Sequence, residues 1–159
     1  LRNVTVRHAR EHDIYILETD GYMFDRFKTF YAGGYGVLTF VEDHGVVQNC
    51  EAAGNGDSGL YPGSGADTTD KRYTKFYPTY RYSQEFRYCD SHHNTGGFSG
   101  TNSHGTKIAY NNFYDNALET FANAIEESLH GIEARLVANR CIDDLCERAC
   151  TSRPKERTR

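Results

Sequence analysis

Hydrophobic positions along this chain recur at a fixed interval rather than in helical or strand-by-strand alternation. Apolar residues open short extended stretches at Val4, Phe24, Val47, Phe86 and Ile108, and a second set follows turns at Ile14, Val37, Leu60 and Phe98. From Ile14 to Val37 and from Val37 to Leu60 the step is 23 residues. The positions between keep step as well. Phe27, Cys50 and Cys89 fall three places after the first column, Gly36, Gly59 and Gly97 immediately precede the second, and Asn55, Asn94 and Asn116 fall eight places after their own first-column residue. Asp20-Gly21, His44-Gly45 and His104-Gly105 are turn dipeptides before the next stretch. The longer interval from Val47 to Phe86 takes in a Gly/Pro/Ser/Thr-rich segment, about residues 62–80, which reads as a loop inserted into one repeat.

A unit this short holds two or three extended stretches and cannot bury its apolar face alone, so neighbouring units must stack. A leucine-rich repeat requires a dense Leu pattern, and residues 1–116 contain only Leu1, Leu17, Leu38 and Leu60. A propeller blade requires about 40 residues. The remaining architecture is an all-β solenoid, a parallel β-helix of about five short coils over residues 1–117, with coils about 4.8 Å apart. Asn at a fixed turn position suits both a left-handed backbone and a stack of amide hydrogen bonds between coils.

Beyond Asn116 the pattern changes. Leu118, Phe121, Ile125, Leu129, Ile132 and Leu136 follow steps of three and four with Glu and Arg between them, which predicts an amphipathic helix. The tail thus divides into a helical or disordered segment, 118–150, and a disordered polar end, 151–159. Two readings stay open: a helix capping the open end of the solenoid, or the altered end of a truncated relative. Cys141, Cys146 and Cys150 match no common zinc spacing and read as free thiols. Five Cys form no disulfide framework.

Composition adds an excess of Tyr (12) and Gly (15) against one Met and no Trp. The net charge of −4 is dispersed, which argues against a general nucleic-acid surface. No apolar run approaches the roughly 18 residues of a membrane span. With a single Met, a soft-metal site is disfavoured. The run Gly33-Gly34-Tyr35-Gly36 lacks the strand–turn–helix setting of a phosphate loop.

Three segments carry a family resemblance. Gln48-Asn49-Cys50-Glu51-Ala52-Ala53-Gly54-Asn55-Gly56-Asp57-Ser58-Gly59-Leu60, Arg87-Tyr88-Cys89-Asp90-Ser91-His92-His93-Asn94-Thr95-Gly96-Gly97-Phe98 and Asn111-Asn112-Phe113-Tyr114-Asp115-Asn116 resemble coils of bacterial right-handed parallel β-helix proteins of the pectate-lyase-like group. The resemblance covers about residues 1–118 and implies a right-handed solenoid, an extracellular or envelope location, and a polysaccharide partner. That group includes lyases, hydrolases and epimerases, and fold does not fix function. The family pattern continues with Gly and an apolar residue after Leu118, where this chain has Glu119 and Thr120.

Candidate chemistry follows from the stacking. In register, Glu51 falls beside Asp90 and Asn112, His93 beside Asp115, and Gln48 beside Arg87. Paired carboxylates suit a hard cation, so Glu51 and Asp90 are candidate Ca²⁺ ligands. Removal of the C5 proton of an acidic sugar needs a base, for which His92 or His93 qualifies. The sugar carboxylate must also be neutralised, a role open to Arg87 with Glu51 and Asp90. Tyr15 and Tyr61 occupy the outward position after the second column, two coils apart with Leu38 between, and offer flat platforms for sugar rings. Asp57 precedes a strand beside which a groove would lie. His8, His12, His44 and His104 receive no role. The competing class is a non-catalytic structural or protein-interaction solenoid, because Asp, Asn and His at such turns also cap the backbone.

Overall fold

The computed structural model describes residues 1–66, 81–103 and 105–118, and the backbone of 135–137 and 140–141. Among the described residues eleven strands form one parallel array: β1 (Thr5–Arg7), β2 (Ile14–Phe30), β3 (Val37–Ala53), β4 (Ser58–Gly65), β5 (Gln84–Arg87), β6 (Asp90–His92), β7 (Gly96–Phe98), β8 (Thr106–Ala109), β9 (Asn112–Tyr114), β10 (Arg135–Val137) and β11 (Arg140–Cys141). Each pairs with the equivalent stretch one coil on, giving a parallel β-solenoid of about four turns. Among the described residues no helix is long and apolar enough to cross a membrane.

The 23-residue step is the sheet register. Ile14 lies beside Val37, Val37 beside Leu60 and Leu60 beside Phe98; Phe24 lies beside Val47, Val47 beside Phe86 and Phe86 beside Ile108. All eight are buried, in one cluster that also holds Phe27, Cys50, Ala52, Cys89 and Phe113. Burial of each large side chain contributes about 1.5–3 kcal/mol. Edge-on aromatic contacts link the columns, Phe86 to Phe98 at 6.4 Å and Phe98 to Phe113 at 6.1 Å. Val4 joins a different column from the expected one. Thr5 pairs with Lys28, which sets Val4 beside Phe27 rather than Phe24.

A straight strand of 17 residues would run for about 56 Å, yet β2 and β3 are that long. They bend instead at single residues with left-handed backbone, and these residues are themselves stacked. Asn3, Arg26, Asn49, Tyr88 and Tyr110 form one corner, with φ of 53 to 60°. His8, Tyr31, Gly54, His93 and Asp115 form a second, Glu18, Val41, Ser64 and Asn102 a third, and Gly21, His44 and Gly105 belong to a fourth. Asn55, Asn94 and Asn116 are not left-handed; the residue before each of them is. Their amides form the expected stack. Asn94 Oδ1 accepts from the Asn55 backbone N–H at 3.0 Å and from Asn55 Nδ2 at 2.8 Å, and Asn116 Oδ1 accepts from the Asn94 N–H at 3.0 Å. A Cβ on Gly59 would lie 2.7 Å from Asn94 Nδ2, and one on Gly36 2.8 Å from Asn55 Nδ2. The glycine column makes room for the asparagine column.

Cys50 and Cys89, vertical neighbours with Cα atoms 4.4 Å apart, form a disulfide. The interior also takes polar groups: Gln84 Oε1 accepts from Thr39 Oγ1 at 2.8 Å and from the Tyr22 hydroxyl at 2.9 Å. Glu42 is 2 % exposed, and burial pushes its carboxyl up to about 7 against hydrogen bonds from the Phe40 and Thr19 backbone.

Two boundaries change. The insertion begins later than Pro62, because β4 runs to Gly65; residues 67–80 lie outside the described residues. Within the tail expected to be helical or disordered over 118–150, residues 135–137 and 140–141 are instead strands β10 and β11, with Leu136 paired to Ile108 of β8. Leu118, at its near end, is 60 % exposed and bridges Gly96. Unpaired groups on the last coil's edge favour another strand over a helix there. Residues 119–134, 138–139 and 142–159 lie outside the described residues, and so does the polar end.

Candidate functional site

Between the Tyr88 and His93 corners each coil presents four residues, and alternation sends two inward and two outward. The outward positions make two columns. One is Lys28, Glu51, Asp90 and Asn112, the other Phe30, Ala53, His92 and Tyr114. Glu51 and Asp90 therefore sit side by side, as the repeat register requires. Their carboxylates are held by different partners. Lys28 Nζ meets Glu51 Oε2 at 2.6 Å, whereas Asn112 Nδ2 donates to Asp90 Oδ1 at 2.6 Å. The Lys28 ammonium holds the Glu51 carboxyl below the usual carboxylate range, opposed by partial burial and aided by His92.

His92 stacks on Tyr114, with ring centroids 4.6 Å apart and 12° between planes. Its Nε2 lies 3.4 Å from Glu51 Oε1, and its Nδ1 lies 2.8 Å from His93 Nδ1. A carboxylate only accepts, which assigns the His92 proton to Nε2. In neutral rings His92 Nδ1 then accepts from His93 Nδ1–H, leaving the lone pair of His93 on Nε2. Lys28, Glu51, His92 and His93 thus form one polarised chain ending on an exposed imidazole. Burial raises the Tyr114 hydroxyl above its ordinary value, with the charges of Asp90, Glu51 and Asp115 adding to the effect.

Beside this chain lies a groove of 510 Å³ lined by Thr5, Arg26, Lys28, Glu51, Tyr88 and Asp90 among others. The Tyr88 ring is 54 % exposed and lies parallel to Tyr110 at 5.2 Å.

Arg87 does not join this face. The left-handed Tyr88 turns the chain between β5 and β6, and Arg87 donates to Gln48 Oε1 at 3.0 Å and approaches Glu85 Oε2 at 3.4 Å. The cations that line the groove beside Glu51 and Asp90 are Arg26 and Lys28. Tyr15, Tyr61 and Asp57 belong to a separate strip on β2–β4. His12 lies edge-on to Tyr15 and stacked with Tyr35, and Tyr35 meets Tyr61 at 4.4 Å. Burial and then Asp57 push the Tyr35 hydroxyl up to about 12. Tyr61 is tied to Thr101 through its hydroxyl at 2.5 Å, so of the two expected platforms only Tyr15, 51 % exposed, is open. The sequence reading passed over Lys28, Arg26, Tyr88 and Tyr35. Lys28 was within reach, since it stands one 23-residue step before Glu51.

No protein-family model, curated protein or solved structure matches this chain.

Proposed function

We propose that this protein is an extracellular or envelope solenoid of the pectate-lyase-like group that binds acidic polysaccharide across the Lys28–Glu51–His92 face. One observation carries the reading: a single groove gathers two cations, Arg26 and Lys28, two carboxylates, Glu51 and Asp90, and an exposed ring, Tyr88. A uronic acid needs these groups together. Its carboxylate takes the cations, its hydroxyls donate to the acids, and its flat face covers the tyrosine. With Glu51 engaged by Lys28 and His92, Asp90 is the ligand through which Ca²⁺ would bridge to the sugar. For lyase or epimerase chemistry, His93 Nε2 is the base that would take the C5 proton, with His92 and Glu51 positioning it. The Cys50–Cys89 bridge supports an oxidising compartment.

The test is calorimetric titration of the full chain with polyuronate and neutral polymers, with and without Ca²⁺. Polyuronate should bind, and Tyr88→Ala and Lys28→Ala should each weaken it by about 3- to 10-fold, or roughly 0.7–1.4 kcal/mol. Turnover, if present, should fall in His93→Gln with binding retained. Absence of binding to every polymer at millimolar sugar would overturn the reading and leave the structural or protein-interaction module.

A further inference from the structure

A second cluster lies at the third and fourth corners, where the glycan reading gives it nothing to do. Asp20 and Asp43 are vertical neighbours in β2 and β3, and His44 follows Asp43. One ligand atom from each of the three falls within 4.8 Å of the other two. His44 Nδ1 lies 2.7 Å from Asp20 Oδ1 and 3.8 Å from Asp43 Oδ2. The groove beside them, 460 Å³, is lined by Glu18, Asp20, Glu42 and Asp43 as well as by Ser64, Gly65 and Ala66.

Glu42 supplies an independent observation. It is 2 % exposed and lines this groove, and its Oε2 has no hydrogen-bond partner among the described residues. A buried carboxylate oxygen ordinarily has a donor or a cation against it. Four acidic residues thus line one groove. Arg81 holds Asp43 through both oxygens, at 2.8 Å for Nη2 to Oδ2, whereas Glu18, Asp20 and Glu42 have no lysine or arginine paired with them among the described residues.

We propose that Asp20, Asp43 and His44 bind a divalent first-row transition-metal ion beside this groove, which the buried Glu42, with its unpartnered Oε2, also lines. An imidazole with carboxylates is a donor set for such ions, whereas Ca²⁺ takes oxygen alone. Ligands bonded to Zn²⁺ at about 2.0–2.1 Å stand about 3.3 Å apart in a tetrahedron. The three atoms therefore close by a modest rotation of Asp20, whose side chain is 72 % exposed. Binding replaces the His44–Asp20 hydrogen bond, and the neutral imidazole changes tautomer, its proton passing from Nδ1 to Nε2 so that the Nδ1 lone pair faces the ion. Arg81 stays on Asp43, since a carboxylate accepts from several directions.

The experiment is calorimetric titration of the full chain with ZnCl₂, and separately with CaCl₂, on wild type, Asp20→Asn, His44→Gln, Glu42→Gln and a His92→Gln/His93→Gln control. One Zn²⁺ should bind per chain, at least 10-fold more weakly in Asp20→Asn and His44→Gln, a few-fold more weakly in Glu42→Gln, and unchanged in the His92/His93 control. Asp20 is exposed, so its variant folds, and far-ultraviolet circular dichroism verifies this for each protein. Zn²⁺ affinity unchanged in folded Asp20→Asn, loss only in the His92/His93 control, Ca²⁺ rather than Zn²⁺ binding that is lost in Asp20→Asn, or no Zn²⁺ binding at all would each overturn the proposal. None of these outcomes bears on polyuronate binding at Tyr88.

Discussion

Replacing Asn94 with Ala should cost this protein about 4 kcal/mol, out of the roughly 5–15 kcal/mol that typically holds a domain folded. Asn94 is 3 % exposed, and every polar atom of its side chain is used. Its Oδ1 takes the Asn55 backbone N–H and amide, and its Nδ2 donates to Ala52 O at 3.0 Å, Ser91 Oγ at 3.1 Å and Asn116 Oδ1 at 3.2 Å. Alanine keeps none of these bonds. The Asn55 side chain still accepts from the Ala32 N–H at 3.0 Å, which fixes its orientation and prevents it from turning to compensate. Two buried backbone groups, Asn55 N–H and Ala52 O, then lose a partner, at about 1–3 kcal/mol each. Urea unfolding of the full chain, followed by circular dichroism, measures the loss, with an unchanged slope showing that the unfolded state is the same. A loss below about 1 kcal/mol would refute the reasoning, since it would mean that water or a relaxed backbone takes over these bonds and the asparagine column is decoration.

Val41 is a β-branched residue with φ of 60° that is 47 % exposed; Val41→Asn should raise stability by about 1 kcal/mol by relieving backbone strain, seen as a higher midpoint in thermal unfolding. The Asp25 carboxyl is held below its ordinary value first by Asn49 and also by Gln48, Arg26 and Arg2. A depressed folded value means the contribution is complete above the unfolded pKa of about 3.9 and is lost as pH falls through the folded one; the stability of Asp25→Asn should therefore depend less on pH below about 4 than that of wild type, in urea titrations at successive pH. The Cys50–Cys89 bridge closes a sequence separation of 39, so Cys50→Ser should lose about 4 kcal/mol by chain entropy, and dithiothreitol should reproduce that loss in wild type and leave the variant unchanged.

The columns were legible because a solenoid repeats its inward positions at constant spacing, and Val37, Val47 and Leu60 follow that spacing without interruption. Val4 misled because its step to Phe24 is 20, short of the repeat by one left-handed corner and its neighbours. The Glu51–Asp90 pairing was legible for the same reason as the core. Arg87 was not: a single residue, Tyr88, turns the backbone, and nothing in residue type announces that a tyrosine will adopt φ of 56°. Which face a polar residue occupies is therefore decided by corners that leave little trace in composition. The amphipathic period from Leu118 to Leu136 shows the opposite failure. The spacing suits a helix, but at Leu136 the open sheet edge beside Ile108 offers backbone partners that spacing alone does not reveal.

Corners made of one residue also have a consequence for growth by insertion. The chain leaves β4 at Gly65, just past the Ser64 corner, and rejoins at Gln84 beside Gly45, in step with the coil it left. Lengthening such an excursion costs only about 0.6 kcal/mol per doubling, whereas a slip of one residue within a coil would turn every inward side chain outward. Length variation is thus cheap at this vertex and prohibitive along the faces between vertices. A foreign peptide spliced between Ala66 and Arg81 should be carried like cargo on a mast, with the coils above and below still in step, and this makes the vertex the natural port through which such a solenoid acquires new parts.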